Sequence, residues 1–151
     1  MNITVIGFGY IGSVISAVLS NKGHNVTAID NNTNCIDELN SGISRIPEPL
    51  LKEMIADSVN SGLLSGSISY DGVDESNVIL VTVGTSLSSD YDADLSALQN
   101  VFKNLSTRVT KNQIIMIKST IPPGVTRKLA NDYLSLNNKV YTTNVFNNIN
   151  P

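Results

Sequence analysis

Apolar positions in this chain follow two rhythms in turn, and the alternation predicts an architecture. Asn2–Ile6 is β-branched and apolar and runs straight into glycine, which predicts a strand ending in a tight turn. Ile11, Val14, Ile15, Val18 and Leu19 then recur at i, i+3, i+4, i+7 and i+8, the spacing of a helix that buries one face. Gly23 follows where a left-handed cap favours glycine. Asn25–Ile29 predicts a second strand, stopped by Asp30. Thr33–Asn40, with Ile36 and Leu39, predicts a helix ending near Gly42. The next helix is expected to open at Pro47, with Glu48 suiting the positive end of its dipole. Leu50, Leu51, Met54, Ile55 and Val59 give it an apolar face before Gly62.

Further along, Ser67–Tyr70 predicts a third strand. Val78–Val83 predicts a fourth, its near-continuous aliphatic run suiting burial on both faces. Asp94 is placed to cap a helix carrying Leu95, Leu98, Val101, Phe102 and Leu105. Ile114–Ile117 predicts a fifth strand, Pro123 to Leu134 a helix, and Val140–Thr143 a sixth strand. The order β-α-β-α-α-β-β-α-β-α-β predicts an α/β fold, a doubly wound and mainly parallel sheet covered by helices on both faces. Residues 1–143 are read as this single domain. In the tail 144–151, four of the seven residues from Asn144 to Asn150 are asparagine, and it is read as the start of a segment that continues beyond the domain.

Composition narrows the function classes. The 151 residues suit one domain, and 41% apolar with 15% charged residues is a globular composition. Ten basic against thirteen acidic side chains leave a net charge of −3, without the basic surplus that nucleic-acid binding requires, so no nucleic-acid partner is expected. No apolar run is long enough to span a bilayer, no basic leader precedes the first strand, and a cytoplasmic protein without a membrane partner is expected. One cysteine and one histidine exclude an internal disulfide and a zinc site, and no metal is expected.

The chemistry concentrates at Gly7-Phe8-Gly9-Tyr10-Ile11-Gly12. This GxGxxG follows a predicted strand, opens a predicted helix, and has an acid, Asp30, at the end of the next strand. Together these form the dinucleotide-binding fingerprint of a Rossmann-type sheet. Gly7 makes the tight turn, Gly9 lets a pyrophosphate approach the backbone, and Gly12 lets the helix pack closely on the strand. The phosphates then meet the free N–H groups of the helix N-terminus, including those of Tyr10 and Ile11. Asp30 can accept both ribose hydroxyls of NAD but would repel a 2′-phosphate, and neither Asn31 nor Asn32 offers that phosphate a cation. NAD is therefore expected over NADP.

Two loops leave the carboxyl ends of the fourth and fifth strands, where such sheets bind ligands: Val83-Gly84-Thr85-Ser86 and Lys118-Ser119-Thr120-Ile121-Pro122-Pro123-Gly124. Thr85, Ser119 and Thr120 place hydroxyls there. His24 falls in the turn before the second strand, at the opposite edge, and reads as structural. Cys35 lacks a histidine neighbour and reads as packing. Asp90-Tyr91-Asp92-Ala93-Asp94 imitates the start of a calcium loop but has Leu95 where glycine and Val101 where glutamate are needed.

Taken together, these segments resemble the UDP-sugar 6-dehydrogenases, which act on UDP-glucose and UDP-N-acetylhexosamines. The matches are Val5–Gly12 with Tyr10 after the second glycine, Asp30, Leu39-Asn40-Ser41-Gly42, Ile46-Pro47-Glu48-Pro49-Leu50, Val83–Ser86, Asp94-Leu95-Ser96 and Lys118–Gly124. They keep the family's order from residue 3 to about 126. The resemblance implies NAD as cofactor, Thr85 and Thr120 lining its site, and Thr120 nearest the nicotinamide and the reacting carbon, the catalytic position; Val83, Gly84 and Ser119 beside them are candidate cofactor-binding residues. It also implies a UDP-sugar substrate and an intact homodimeric enzyme, with this chain expected to be a monomer by itself. The family's catalytic cysteine lies beyond residue 151 in such enzymes, so the chain alone is expected to be inactive. Asn150-Pro151 looks like the start of a family segment that continues with glutamate. Ser86 departs from the usual proline, and Cys35 from the basic residue common near the adenosine ribose. A non-catalytic NAD-binding module and the Rossmann domain of a β-hydroxyacid dehydrogenase are the alternative readings.

Overall fold

The computed structural model describes residues 1–87 and 93–134. In chain order its elements are β1 (Asn2–Ile6), α1 (Tyr10–Asn21), β2 (Asn25–Ile29), α2 (Thr33–Asn40), α3 (Leu51–Asn60), β3 (Leu64–Ser67), β4 (Val78–Val81), β5 (Ser86–Leu87), β6 (Ala93–Asp94), α4 (Ser96–Leu105), β7 (Ile114–Ile117) and α5 (Val125–Leu129). Five strands form one parallel sheet in the order β3-β2-β1-β4-β7, and β5 pairs antiparallel with β6. The chain runs outward from β1 through β2 to β3, then returns to the other side of β1 and continues through β4 to β7. The reversal of direction lies between β1 and β4. There Ile6 stands level with Ile29 on one side and Val81 on the other, so three strands end together.

Right-handed crossovers in opposite directions put the helices on opposite faces. Val5, Ala28, Leu39, Ile55 and Leu64 are buried on the face of α1, α2 and α3. Ile79, Val81, Leu98, Phe102 and Leu105 are buried on the face of α4. Each such aliphatic or aromatic side chain contributes roughly 1.5–3 kcal/mol by leaving water. Among the described residues, no helix is long and apolar enough to cross a membrane.

Several expectations are corrected. First, α1 does not bury its Ile11/Val14/Ile15/Val18/Leu19 stripe as its main contact face. It buries Gly12, Ser13, Ser16, Ala17 and Ser20, while Ile11 and Val18 remain 50% and 43% exposed. The cause is close approach: a Cβ on Gly12 would stand 1.9 Å from the Gly7 carbonyl oxygen, so only small side chains fit beneath the helix. Val14, Ile15 and Leu19 pack at the margin of the core. The buried Ser20 hydroxyl donates to the Ser16 carbonyl at 2.7 Å, which makes a serine tolerable in that position.

Second, α3 begins at Leu51 and not at Pro47. Leu50 before it adopts a left-handed φ of 65° and is 71% exposed, and Glu48 serves another contact described below. Third, β3 lies three residues earlier than the expected Ser67–Tyr70. Its register pairs Leu64 with Val26 and Gly66 with Ala28, and α2 presses on Gly66 so closely that a Cβ would meet Leu39 at 2.9 Å. Fourth, the last helix starts after Gly124 (φ 87°) and passes into a single π-type turn over Ala130–Leu134. β4 also ends at Val81, leaving Thr82 and Val83 to the turn. Leu95, not Asp94, holds the N-cap position of α4 and makes no side-chain cap bond; Asp94 stands one residue earlier, its Oδ1 accepting the Ser96 N–H at 2.9 Å. The expected sixth strand, the asparagine-rich tail and most of the Asp90–Asp94 run lie outside the described residues.

Candidate functional site

Where β1 ends, the backbone must reverse beneath α1, and glycine chemistry decides how. Gly7 takes φ 98° and donates its N–H to the Ile29 carbonyl at 2.7 Å. A Cβ there would lie 2.8 Å from the Val83 nitrogen, so both the conformation and the space exclude any other residue. Gly12 is excluded from substitution by the contact with Gly7 already described. Gly9 differs: a Cβ built on it meets nothing within 4 Å, and its φ of −78° suits any residue. Among the described residues, nothing requires glycine at position 9. The open space lies at the N-cap of α1, where no side chain caps the helix, and the first N–H groups of a helix have no intrahelical acceptor.

Thr82 is a member of this turn that sequence reasoning missed. Its hydroxyl donates to the Gly7 carbonyl at 2.6 Å and lies 3.1 Å from the Ile6 carbonyl, tying the end of β4 to the turn after β1. A hydroxyl closing an aliphatic run, level with the fingerprint, was the available signal.

Asp30 is fixed on both oxygens. Oδ2 accepts the Phe8 N–H at 2.7 Å and Oδ1 the Asn32 N–H at 2.9 Å. The carboxylate is thus locked against the glycine turn, and each oxygen retains a lone pair for a further donor. Tyr10 is 52% exposed, and its hydroxyl donates to Glu48 Oε1, drawing the segment between α2 and α3 across the start of α1. That hydrogen bond to Glu48 is the first cause that raises the Tyr10 phenol above its usual range.

On the other side of the reversal, the loops after β4 and β7 are tied together. Thr85 donates its hydroxyl to the Thr120 carbonyl at 2.8 Å, and Ser119 donates to the Val83 carbonyl at 2.6 Å. Both hydroxyl protons are therefore committed to backbone carbonyls, and these oxygens remain acceptors. Gly84 and Thr120 are exposed at the rim. At the carboxyl ends of the strands, Gly7, Gly9, Gly12 and Asp30 thus lie on the β1/β2 side of the sheet, and Val83, Gly84, Thr85, Ser119 and Thr120 on the β4/β7 side. His24 lies away from it, its N–H held by the Leu19 carbonyl at 3.2 Å. Cys35 sits in the first turn of α2, its Sγ 3.7 Å from the Phe8 carbonyl. Burial and then the charge of Asp30 push its thiol up, the reverse of what a nucleophile needs.

The family described as "UDP-glucose/GDP-mannose dehydrogenase family, NAD binding domain" matches residues 1–150. The chain is 40% identical over 125 residues to the UDP-glucose 6-dehydrogenase YwqF of Bacillus subtilis, covering 82% of this chain and 28% of that protein. It is 33% identical over 130 residues to the UDP-N-acetyl-D-mannosamine dehydrogenase of Pyrococcus horikoshii, covering 86% of this chain and 31% of that protein. The chain therefore spans about a third of the length of the curated relatives it matches. Among solved structures, the UDP-D-ManNAc dehydrogenase from Pyrococcus horikoshii superposes with a TM-score of 0.83 at 32% identity, over 88% of this chain and 32% of that one. A ternary complex of the GDP-mannose dehydrogenase from Pseudomonas aeruginosa gives 0.81 at 28% identity, over 88% and 33%. The chain belongs to the UDP-glucose/GDP-mannose dehydrogenase family, and it is that family's NAD-binding domain.

Proposed function

We propose that this domain serves an NAD-dependent UDP-sugar 6-dehydrogenase, one that oxidises the C6 alcohol of UDP-glucose or a UDP-N-acetylhexosamine to the uronate. The observation that carries the reading is Gly9: its missing side chain answers to no neighbour among the described residues, yet leaves open space at an uncapped helix N-terminus. A pyrophosphate fits that space, with the first N–H groups of α1 as donors. Asp30, held by Phe8 and Asn32, accepts the adenosine ribose hydroxyls. Thr85, Ser119 and Thr120 line the opposite side, with Thr120 the residue nearest the reacting carbon. When bound, NAD supplies the hydride acceptor.

The same geometry separates this chain's only thiol from that chemistry. Cys35 follows β2 and Thr120 follows β7, three strand spacings apart, or about 14 Å across the sheet. A thioester to a substrate carbon beside Thr120 cannot form on Cys35, so the nucleophile must come from elsewhere. Incubating the chain with NAD and UDP-glucose, or with a UDP-N-acetylhexosamine, is expected to give NAD binding by calorimetry and no NADH absorbance. Steady NADH production that survives Cys35→Ser would overturn this division of roles. Absence of NAD binding would overturn the cofactor site itself.

A further inference from the structure

Beside the glycine turn lies a cavity of about 200 Å³, bounded by Phe8 and Gly9, by Cys35 and Glu38 of α2, and by Arg45 and its neighbours in the segment before α3. It opens beside Gly9, where the protein leaves space, and it backs onto Phe8, whose N–H holds Asp30. Arg45 is the one cation among its lining residues. The Arg45 side chain, 44% exposed, is paired through its guanidinium to the Glu38 carboxylate, which lines the same cavity. Arg45 shares this lining with Cys35, whose sulfur stands 3.7 Å from the Phe8 carbonyl, so cation, thiol and glycine turn border one cavity.

We infer that Arg45 is a specificity-determining residue for the anionic adenosine diphosphate half of the dinucleotide, held in reserve by Glu38 until the ligand arrives. This rests on the cofactor reading above. A dinucleotide carries two negative phosphates into this region, and the glycine turn offers them only neutral N–H donors. Arg45 supplies a full positive charge and a planar fork of donors that matches a phosphate. Glu38 competes for the same fork. Binding therefore exchanges one carboxylate for phosphate oxygens, with no net loss of pairing for the guanidinium.

The exchange makes a prediction that a merely structural clamp does not. If Arg45 and Glu38 only brace the segment, removing either partner should harm binding equally. If Glu38 is a competitor, the two substitutions act in opposite directions. The test is calorimetric titration of the 151-residue chain with NAD and with ADP-ribose, which lacks the nicotinamide. Arg45→Ala is expected to weaken both ligands about tenfold, the scale of one charge-assisted hydrogen bond, and to flatten the dependence of affinity on salt. Arg45→Lys, which keeps the charge and loses the fork, should fall between. Glu38→Gln is expected to tighten both ligands about two- to threefold, and to have no effect in the Arg45→Ala background. Equal weakening by Arg45→Ala and Glu38→Gln, or affinity indifferent to residue 45, would overturn the role of Arg45 and leave the cofactor site standing. A chain that binds neither NAD nor ADP-ribose would overturn the cofactor site and this inference together.

Discussion

The glycine turn and the segment between α2 and α3 meet at the same cleft, yet they are built by different physics. The turn is fixed by backbone. Gly7 and Gly12 are enforced by atoms less than 3 Å from any added Cβ, and Thr82 bolts the turn to β4. The segment from Ile43 to Leu50 has no regular structure; side chains tie it to the start of α1, Tyr10 to Glu48, and to α2, Arg45 to Glu38. Exposed pairs of this kind contribute little to stability, so the segment can exchange partners at a cost the turn could never tolerate. Under the proposed cofactor reading, the rigid turn would seat the pyrophosphate while the adjustable wall adapts around it.

The comparison is broken most severely at Gly12. Gly12→Ala places a methyl on the Gly7 carbonyl, and the loss of stability should reach about 3 kcal/mol or more, at the top of the overpacking range. Thermal melting would show it, with a fall of several degrees or failure to fold. A variant that melts with the unsubstituted chain would show that α1 is free to lift from the sheet.

Gly9→Val separates the fold from the ligand. The open space around position 9 and its φ of −78° predict a folded domain with a melting temperature near that of the unsubstituted chain and no measurable NAD binding. Normal NAD affinity in this variant would mean that the open space is not a phosphate seat.

Tyr10→Phe is the mildest probe and acts on the adjustable wall. Removing one exposed hydroxyl should shift melting by no more than about 2 °C. The contact also carries a pH signature. Its phenol is held above the ordinary value, first by the hydrogen bond to Glu48, so the contact is present below the usual tyrosine range and lost as pH rises through the raised folded value. NMR titration of the Tyr10 ring should show late ionisation. Ionisation at the ordinary tyrosine value would mean that the Glu48 contact is not maintained in solution.

What the sequence told in advance divides along the same line. β1, β2, α2 and β7 were readable to the residue because short β-branched runs and capping signals are local properties. The acid at position 30 and the three glycines were readable because their spacing encodes a turn. The burial of α1 was not: its apolar period was real, but the face against the sheet was chosen by the need for small side chains under a close helix. The start of α3 was misplaced because Pro47 and Glu48 carry helix-opening signals, whereas Glu48 is drawn away by Tyr10, a partner 38 residues distant. The shift of β3 likewise came from pairing with β2 and pressure from α2 on Gly66, neither of which a local window contains. Thr82 was overlooked because one hydroxyl after an aliphatic run resembles an ordinary turn residue until the neighbouring strand is placed.

The central claim is that a carboxylate locked against a glycine turn selects NAD. It is tested most directly by calorimetric titration of the chain with NAD and NADP, before and after Asp30→Ala. The unsubstituted chain should bind NAD with clear preference, because Asp30 accepts ribose hydroxyls and repels a 2′-phosphate. Charge-assisted hydrogen bonds contribute about 1.5–3 kcal/mol, so Asp30→Ala should weaken NAD roughly 10- to 150-fold and narrow the gap to NADP. Equal affinities of the unsubstituted chain for the two cofactors would contradict the account.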